Sequence, residues 1–311
     1  MLPHLDDFLL YLKTQNYSEE TIYNYDRDLR VFTKFLEDFP TRFEKVDKKI
    51  INEYKAYLIS RDRRTPIKNE EGEQLASFSV NRMLSSLRTY FKYLIEIDYK
   101  VPVAPEAIKL VKTERKHAKV AELEDLIRLI EAPSTLEGNS KIALRNRACL
   151  EVLFATGMRI SELVSLNRDQ IDESGRIFIR GKGKKERFVY LTPRAQKYLE
   201  EYLSTRSDTA PALFVPYRGK GAPTRIRRLS TNYLQAKIKS YREKLRINVP
   251  TSAHSLRHGF ATYLAERGAS PAAIQILLGH ESLETTTRYV HASDRFAEET
   301  HRKFHPLKEP K

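Results

Sequence analysis

The segment HSLRHGFATYL, residues 254–264, places His254, Arg257 and His258 close together in a chain that has only 8 histidines. Apolar residues recur there at the spacing of one helix face, at Leu256, Phe260 and Leu264. His254 and Arg257 are three residues apart and share a helix face, so both can converge on one phosphate. His258 is rotated about 100° from Arg257 and is expected to pack or hydrogen-bond within the protein. A surface helix with basic residues is the simpler interpretation.

Phosphoryl transfer without a metal ion is a reaction that such a helix could serve. A phosphodiester under in-line attack gathers negative charge on its non-bridging oxygens, so preorganised cations must face it. Arginine suits this task because its planar fork matches two phosphate oxygens and stays charged. The attacking group must lose a proton and the leaving oxygen must gain one. A tyrosine phenol, with an ordinary pKa of about 10, can attack once cations and a base lower that pKa.

Other candidates for this chemistry lie outside the helix. Arg159 follows Gly157, a predicted helix end, in the segment ATGMRISEL. His280 also follows a predicted helix end, and Tyr289 comes nine residues later. The turn RGKGKKER offers three lysines among which the residues alone do not choose, namely Lys182, Lys184 and Lys185. Isolated cations are usually solvated, and isolated histidines or tyrosines are usually structural. The evidence for a catalytic site is therefore the order in which these residues occur together along the chain.

The composition favours a nucleic-acid partner. Lys and Arg number 55 against 41 Asp and Glu, a formal net charge of +14, and such an excess suits a polyanion. No stretch approaches the roughly 20 apolar residues of a membrane span, and the N-terminus lacks a signal-peptide pattern. Cys149 is the only cysteine, which excludes an intrachain disulfide and a cysteine-built metal site. We therefore expect a cytoplasmic protein with no membrane partner.

Residues 1–110 are predicted to form an all-α N-terminal domain, a compact bundle of four helices. The first helix is expected at residues 4–15. The caps predicted for the other three helices are Ser18, Asp47 and Ser79. The polar, patternless stretch 61–77 is expected to be a loop between the third and fourth helices.

Residues 120–311 are predicted to form a mixed, mainly α domain with a small antiparallel β-sheet, after a linker at 111–119. The segment GRIFIRGKGKKERFVYL alternates apolar residues around a glycine-rich turn, which is typical of a β-hairpin. Helices return after this hairpin, and one of them is predicted to start at Ser270 and to stop at Gly279.

Four segments of this second domain resemble the catalytic boxes of the tyrosine recombinases, and of their Xer type in particular: ATGMRISEL, GKGKKER, HSLRHGFATYL and LGHESLETTTRYVH. These enzymes cut and rejoin DNA through a 3′-phosphotyrosine link. Residues 1–100 are similar to the family's helical, SAM-like core-binding domain. The resemblance implies the fold of the DNA breaking–rejoining enzymes for the second domain. It also implies that no metal ion, ATP or other cofactor is needed, because the phosphotyrosyl bond keeps the energy of the diester.

The resemblance implies a role for each residue that would face the phosphate. Arg159 and Arg257 would clamp the scissile phosphate. His254 would act in proton transfer with the nucleophile and contact the phosphate, and His280 would hydrogen-bond the phosphate. Glu162, in the RISEL part of the first box, would be a supporting acid.

The resemblance also implies which residues act as the leaving-group acid and as the nucleophile, and which ones contact DNA. Lys182, the lysine between two glycines, would protonate the 5′ leaving oxygen, and Tyr289 would be the nucleophile. Seven basic residues of two cationic stretches, 180–187 and 218–228, are expected to lie on DNA phosphates. They are Arg180, Lys184, Lys185, Arg187, Arg225, Arg227 and Arg228.

The implied partner is double-stranded DNA with a palindromic site, bound by a tetramer of protomers on two duplexes. A paired homologue or a DNA translocase can join such a complex. The tail 292–311 would dock into a neighbouring protomer or pack on its own domain. The alternatives to Xer-type dimer resolution are the integrase of a mobile element, a type IB topoisomerase and a non-enzymatic DNA-binding regulator. The regulator leaves the series Arg–Lys–His–Arg–His–Tyr unexplained.

Overall fold

The computed structural model describes residues 2–60, 75–113, 121–180, 186–217 and 228–279. The chain forms two compact units, Met1–Lys116 and His117–Lys311. The first unit is helical, and the second combines helices with a two-stranded antiparallel sheet, as the predicted fold class requires. Within the described ranges, no helix is both long and apolar enough to cross a lipid bilayer.

The first unit contains four α-helices in its described part. They are α1 (Leu5–Thr14), α2 (Glu19–Asp38), α3 (Lys48–Ile59) and α4 (Ser77–Glu96). The predicted caps at Ser18 and Asp47 are confirmed, because each side chain accepts a backbone N–H of the following turn. The predicted cap at Ser79 is wrong. The helix starts two residues earlier, and the Ser79 amide already donates to the carbonyl of Ala76 at 2.8 Å.

The core of the first unit is rich in aromatic side chains and is closed by a buried polar contact. Phe32 of α2 and Tyr54 of α3 meet edge to face with ring centroids 4.8 Å apart. Asp28 of α2 is buried and accepts hydrogen bonds from Arg82 and, at 3.0 Å, from the hydroxyl of Ser86, both on α4. Because a buried carboxylate is costly without such donors, this contact fixes α2 against α4.

The second unit contains seven α-helices and one hairpin in its described part. In chain order they are α5 (Leu123–Leu136), α6 (Ser140–Thr156), α7 (Ile160–Ser165), β1 (Arg176–Arg180), β2 (Glu186–Tyr190), α8 (Pro193–Ser204), α9 (Thr231–Lys244), α10 (Ala253–Glu266) and α11 (Pro271–Leu278). The predicted start of α11 at Ser270 is confirmed, since its hydroxyl accepts the Ala273 amide at 3.1 Å.

Helix α6 is the central helix of the second unit and packs against α5, α8 and α10. Even its polar side chains are buried, so each needs a partner inside the protein. Arg145, 2% exposed, donates to the Val215 carbonyl at 3.0 Å and to the Tyr233 hydroxyl at 2.6 Å. Asn146 donates to the Tyr241 hydroxyl at 2.7 Å. These bonds hold α9 onto the first half of α6.

The hairpin pairs β1 and β2 antiparallel, with Ile179 opposite Arg187 and Ile177 opposite Val189. Strand alternation turns these residues toward the core, where Ile177, Ile179 and Val189 are buried. The opposite face carries Phe178, which is 38% exposed. Arg187 therefore lies on the inward face of the sheet, among apolar residues.

Gly157 ends α6 in the left-handed conformation, with φ 61° and ψ 16°, which confirms the predicted cap. A Cβ at this position would lie 2.3 Å from Cδ1 of Phe260 on α10. Glycine is thus required twice here, by the backbone angle and by the approach of α10. The consequence is that α10 lies directly against the turn that leads into α7.

Replacing Gly157 by alanine is expected to lower the free energy of unfolding by about 2–5 kcal/mol, from left-handed strain plus overpacking. Urea denaturation measures this. Two glycine controls separate the causes. Gly268→Ala shares a positive φ, 87°, without a neighbour within 4 Å, and Gly138→Ala has neither. We expect Gly268→Ala to show only the strain and Gly138→Ala to change stability by less than about 0.5 kcal/mol. Equal effects at all three glycines would contradict the steric argument.

Candidate active site

Arg159 lies at the turn between α6 and α7, directly before Ile160, the first residue of α7. Its backbone is extended, with φ −73° and ψ 149°. The side chain is 39% exposed, and its Nη1 lies 3.0 Å from Oε1 of Glu162. One edge of the guanidinium is therefore held by a carboxylate while part of the group reaches solvent, where a phosphate could meet it.

Glu162 is a carboxylate with only 6% of its side chain exposed and donors around both oxygens. Oε2 accepts the Arg159 backbone amide at 2.7 Å and Nη2 of Arg187 at 2.8 Å. Oε1 accepts Nη1 of each of the same two arginines at 3.0 Å. Burial by itself raises the pKa of Glu162, but the hydrogen bonds and charges of Arg187 and Arg159 outweigh it and hold that pKa below its ordinary value. Glu162 is therefore ionised at neutral pH.

The ion pair of Glu162 and Arg187 should make the free energy of unfolding depend on pH. Because the folded-state pKa of Glu162 is lowered, its stabilisation is fully present above the ordinary value of 4.5 and is lost as the pH falls through the folded pKa. Glu162→Gln should lower the free energy of unfolding by about 3–5 kcal/mol at pH 7, since it leaves Arg187 buried without its counter-ion. Denaturation between pH 7 and pH 3 should show that difference shrinking below pH 4.5. A constant difference over this range would contradict the lowered pKa.

Arg257 belongs to α10 and is buried, with 4% of the residue exposed. Its Nη1 donates to the carbonyl of Gly157 at 2.7 Å, and its Nη2 donates to the carbonyl of Leu278 at 2.7 Å. The first of these carbonyls ends α6, two residues before Arg159, and the second ends α11. Both carbonyls lie at helix C-termini, where the helix dipole favours a cation. Arg257 is therefore bound to the backbone turn that leads to Arg159.

The two histidines of α10 differ in their surroundings. His254 is exposed near the start of the helix, one turn before Arg257. His258 is half-buried, and its Nδ1 lies 3.2 Å from the Thr262 hydroxyl one turn later. Burial lowers the pKa of His258, and the neighbouring His254 adds to this. The exposed His254 is thus the one available to a bound phosphate, and His258 hydrogen-bonds within the protein as expected.

Several predicted site residues lie outside the described ranges. They are Lys182, Lys184, Lys185, Arg225, Arg227, His280 and Tyr289. For Arg180, which ends β1, the backbone is described but not the side chain. The tail 292–311 and residues 61–74 of the predicted loop also lie outside the described part of the chain.

Arg228 was predicted to lie on DNA phosphates, and in the structure this exposed side chain also has acceptors within the protein. Its Nη1 donates to the carbonyls of Ser165 at 2.8 Å and of Leu166 at 2.9 Å, and its Nη2 donates to the Asn167 side chain. These acceptors lie at the C-terminal end of α7, where unpaired carbonyls attract a cation. Arg228 therefore caps α7.

Arg187 was likewise predicted to contact DNA, but the structure turns its side chain into the protein. Its side chain is 7% exposed, and its guanidinium binds Glu162 through two nitrogens. Its Nε donates to the carbonyl of Leu277 on α11 at 2.9 Å. The signal that was overlooked is strand alternation, which puts Arg187 on the same inward face as Val189. All three nitrogens of the Arg187 guanidinium have acceptors, and its charge faces the carboxylate of Glu162, which suits an arginine that positions other groups.

Two family models match this chain. The phage integrase family matches residues 119–295, and the phage integrase N-terminal SAM-like domain matches residues 5–97. Together they span most of the chain and match the two units separately. The chain belongs to the phage integrase family.

Individual relatives place the chain more specifically within this family. Tyrosine recombinase XerD of Staphylococcus epidermidis is 32% identical over 311 residues, which cover 97% of this chain and 98% of that protein. Tyrosine recombinase XerC of Halalkalibacterium halodurans is 33% identical over 317 residues, with 96% of each chain covered. The crystal structure of XerH bound to a palindromic difH substrate, a post-cleavage complex, shares the fold with a TM-score of 0.69, at 22% identity over 96% of this chain and 83% of that one. The chain is a tyrosine recombinase of the Xer type, an enzyme that cuts and rejoins DNA, and the predicted family is confirmed.

Proposed function

We propose that this recombinase acts on double-stranded DNA at a palindromic site, with Tyr289 as its nucleophile. The phenol oxygen of Tyr289 attacks the scissile phosphorus and the bond from phosphorus to the 5′ oxygen breaks, which leaves a 3′-phosphotyrosyl link. The phenol gives up its proton with the help of His254, and the 5′ oxygen takes a proton from Lys182. A 5′ hydroxyl then attacks the phosphotyrosine to rejoin a strand. The number of phosphoester bonds is conserved, so the reaction needs no external energy.

The observation that carries this proposal is the meeting of two arginines at one turn. Arg257 donates to the carbonyl of Gly157 at 2.7 Å, and Arg159 follows Gly157 by two residues. Two preorganised cations, one held by helix-end carbonyls and the other by Glu162, suit a phosphorane-like transition state with extra negative charge. The exposed His254 lies one turn from Arg257 and can reach the same phosphate. In this proposal His280 donates a further hydrogen bond to that phosphate.

The biological role that we propose is the resolution of chromosome or plasmid dimers by a tetramer of protomers on two duplexes. Its support is that XerD and XerC relatives match nearly the full chain at almost equal identity. Because neither match dominates, a tetramer of this chain alone and one shared with a paired homologue are both compatible with it. We propose the cytoplasm of a bacterial or archaeal cell as its location, because the substrate is DNA.

The experiment that tests this function uses nicked suicide duplexes that carry candidate palindromic sites. A 5′ label on the cleaved strand should move into a protein–DNA band that resists denaturant, because a 3′-phosphotyrosyl link retains the 5′ part of that strand. A 3′ label should be absent from that protein–DNA band, because the 3′ part of the strand is released. Mixing two duplexes of different length should then give recombinant strands, which a topoisomerase acting as a monomer would not produce. An adduct that carries the 3′ label would contradict the proposed polarity.

A further inference from the structure

Arg187 joins three elements of the second unit at their buried ends. It belongs to β2, yet its guanidinium binds Glu162 in α7 at 2.8 and 3.0 Å and the carbonyl of Leu277 in α11 at 2.9 Å. Both members of the ion pair are more than nine-tenths buried. The planar guanidinium spreads its donors over Nε, Nη1 and Nη2, and the single nitrogen of a lysine ammonium could not reach the same acceptors with this geometry.

The contacts of Arg187 are part of a closed ring of hydrogen bonds. On one side Glu162 also binds the guanidinium and the amide of Arg159. On the other side the next carbonyl of α11, that of Leu278, is bound by Arg257, whose second bond goes to Gly157 just before Arg159. The contacts therefore run from Arg159 through the Glu162–Arg187 pair and the end of α11 to Arg257 and back.

The side chain of Arg187 packs closely against the backbone of Gly279, which leaves little room for a side chain at that glycine. A Cβ at Gly279 would lie 3.0 Å from Cδ and 3.2 Å from Nη1 of Arg187, and Gly279 has a φ of 65°. The glycine after α11 thus permits the approach of Arg187, besides ending the helix. The arginine side chain is confined by both its hydrogen bonds and its neighbours.

We propose that Arg187 is a positioning residue of the recombination reaction, which sets the orientation of Arg159 through Glu162 and fixes the end of α11 against Arg257. The inference rests on the proposed function, in which Arg159 and Arg257 bind the scissile phosphate. Arg187 itself touches neither DNA nor the reacting atoms. Since a displacement of about 1 Å at a reacting centre can cost about 100-fold in rate, loss of this guanidinium should appear in the cleavage step.

The test is Arg187→Lys in single-turnover cleavage of the suicide duplex, with DNA affinity measured separately. We expect cleavage about 100-fold slower with the dissociation constant for DNA changed less than about 3-fold, because the affected interactions act in the transition state. Arg147→Lys is the matched control. Arg147 is 3% exposed and pairs with Glu151 at 2.8 Å in the same unit, and nothing in the proposed mechanism uses it. It should lose comparable thermal stability and keep its cleavage rate.

A substrate with a 5′-bridging sulfur distinguishes two ways in which Arg187 could act. The sulfur leaves without a proton, so it should restore a defect in leaving-group protonation but not a defect in phosphate binding. We expect Arg187→Lys to remain slow on this substrate. Restored cleavage would overturn the assigned route through Arg159 and point to the hairpin turn that holds Lys182.

A second variant, Glu162→Gln, and a double-mutant cycle test whether Glu162 and Arg187 act together in cleavage. Glu162→Gln and Arg187→Lys should slow cleavage by similar factors, and the double variant should be no slower than either single one, since the pair acts as a unit. Wild-type protein that cleaves while Arg187→Lys cleaves at the same rate would overturn the inference alone. Wild-type protein that forms no adduct on substrates cleaved by a control Xer recombinase would overturn the proposed function instead.

Discussion

Tyr289→Phe is expected to abolish formation of the covalent protein–DNA adduct, with a loss of cleavage rate of at least about 10⁴-fold. Phenylalanine keeps the ring but has no oxygen that can bond to phosphorus, so no other step can replace the first one. DNA binding should stay within about 3-fold of wild type, because in the proposed mechanism the cations and not the phenol hold the phosphate. The suicide duplex with a 5′ label measures the adduct, and a gel shift measures binding.

The control for Tyr289→Phe comes from the other tyrosines of the chain, which number 17 in all. Tyr190→Phe removes a hydroxyl from the outer face of β2, where the residue is 54% exposed. It should leave the adduct unchanged, which excludes a general effect of losing a phenol. An adduct that survives Tyr289→Phe would move the nucleophile to another residue. It would leave the arrangement of Arg159 and Arg257 intact as a phosphate site, since that arrangement does not depend on Tyr289.

Lys182→Ala is expected to slow cleavage by about 10²–10⁴-fold, the usual contribution of a positioned general acid. The 5′ oxygen is a poor leaving group until it gains a proton, so the defect should vanish when a sulfur replaces that oxygen. We expect cleavage of the sulfur substrate within about 10-fold of wild type. The comparison of the two substrates assigns the proton donor, because a variant that merely misfolds would be slow on both.

The neighbouring lysines of the turn provide the controls for Lys182. Lys184→Ala and Lys185→Ala remove the same charge from the same stretch. Each should weaken DNA binding and reduce its salt dependence, as the loss of one phosphate contact does, while the cleavage rate at saturating protein stays near wild type. A sulfur-dependent rescue of Lys184→Ala or Lys185→Ala, and not of Lys182→Ala, would assign the proton donor to that other lysine.

Local signals predicted most of the described elements. Ser18 and Asp47 were recognisable as caps because a helix start needs a side-chain acceptor within three residues. Gly157 and Gly279 were recognisable as helix ends because a left-handed residue without a Cβ is favoured there. The error at Ser79 arose from the same rule. The cap residue of that helix is Ala76, whose side chain accepts no hydrogen bond. The capping rule therefore could not identify the start and selected a nearby serine instead.

The site itself was only partly predictable, and Arg187 and Arg228 show why. Both are basic residues beside a basic turn, so charge and neighbourhood assign them to DNA. Their actual partners lie far away in the chain, at Glu162 for Arg187 and at the carbonyls that follow Ser165 for Arg228. Neither partner can be predicted from the residues next to Arg187 or Arg228. For Arg187 the alternation of β2 held a usable signal, since it lies in phase with the buried Val189.

The order and the chemical types of the catalytic residues are therefore properties of the sequence alone, and so are the family and the helical nature of both units. They follow from residue identity, spacing and short-range capping, which act within a few positions of the chain. Only the tertiary structure decided which groups each of these arginines binds within the protein. That choice depends on buried ion pairs and on helix-end carbonyls, whose partners are 21 to 100 residues apart, and burial converts an apparently solvated arginine into a structural one.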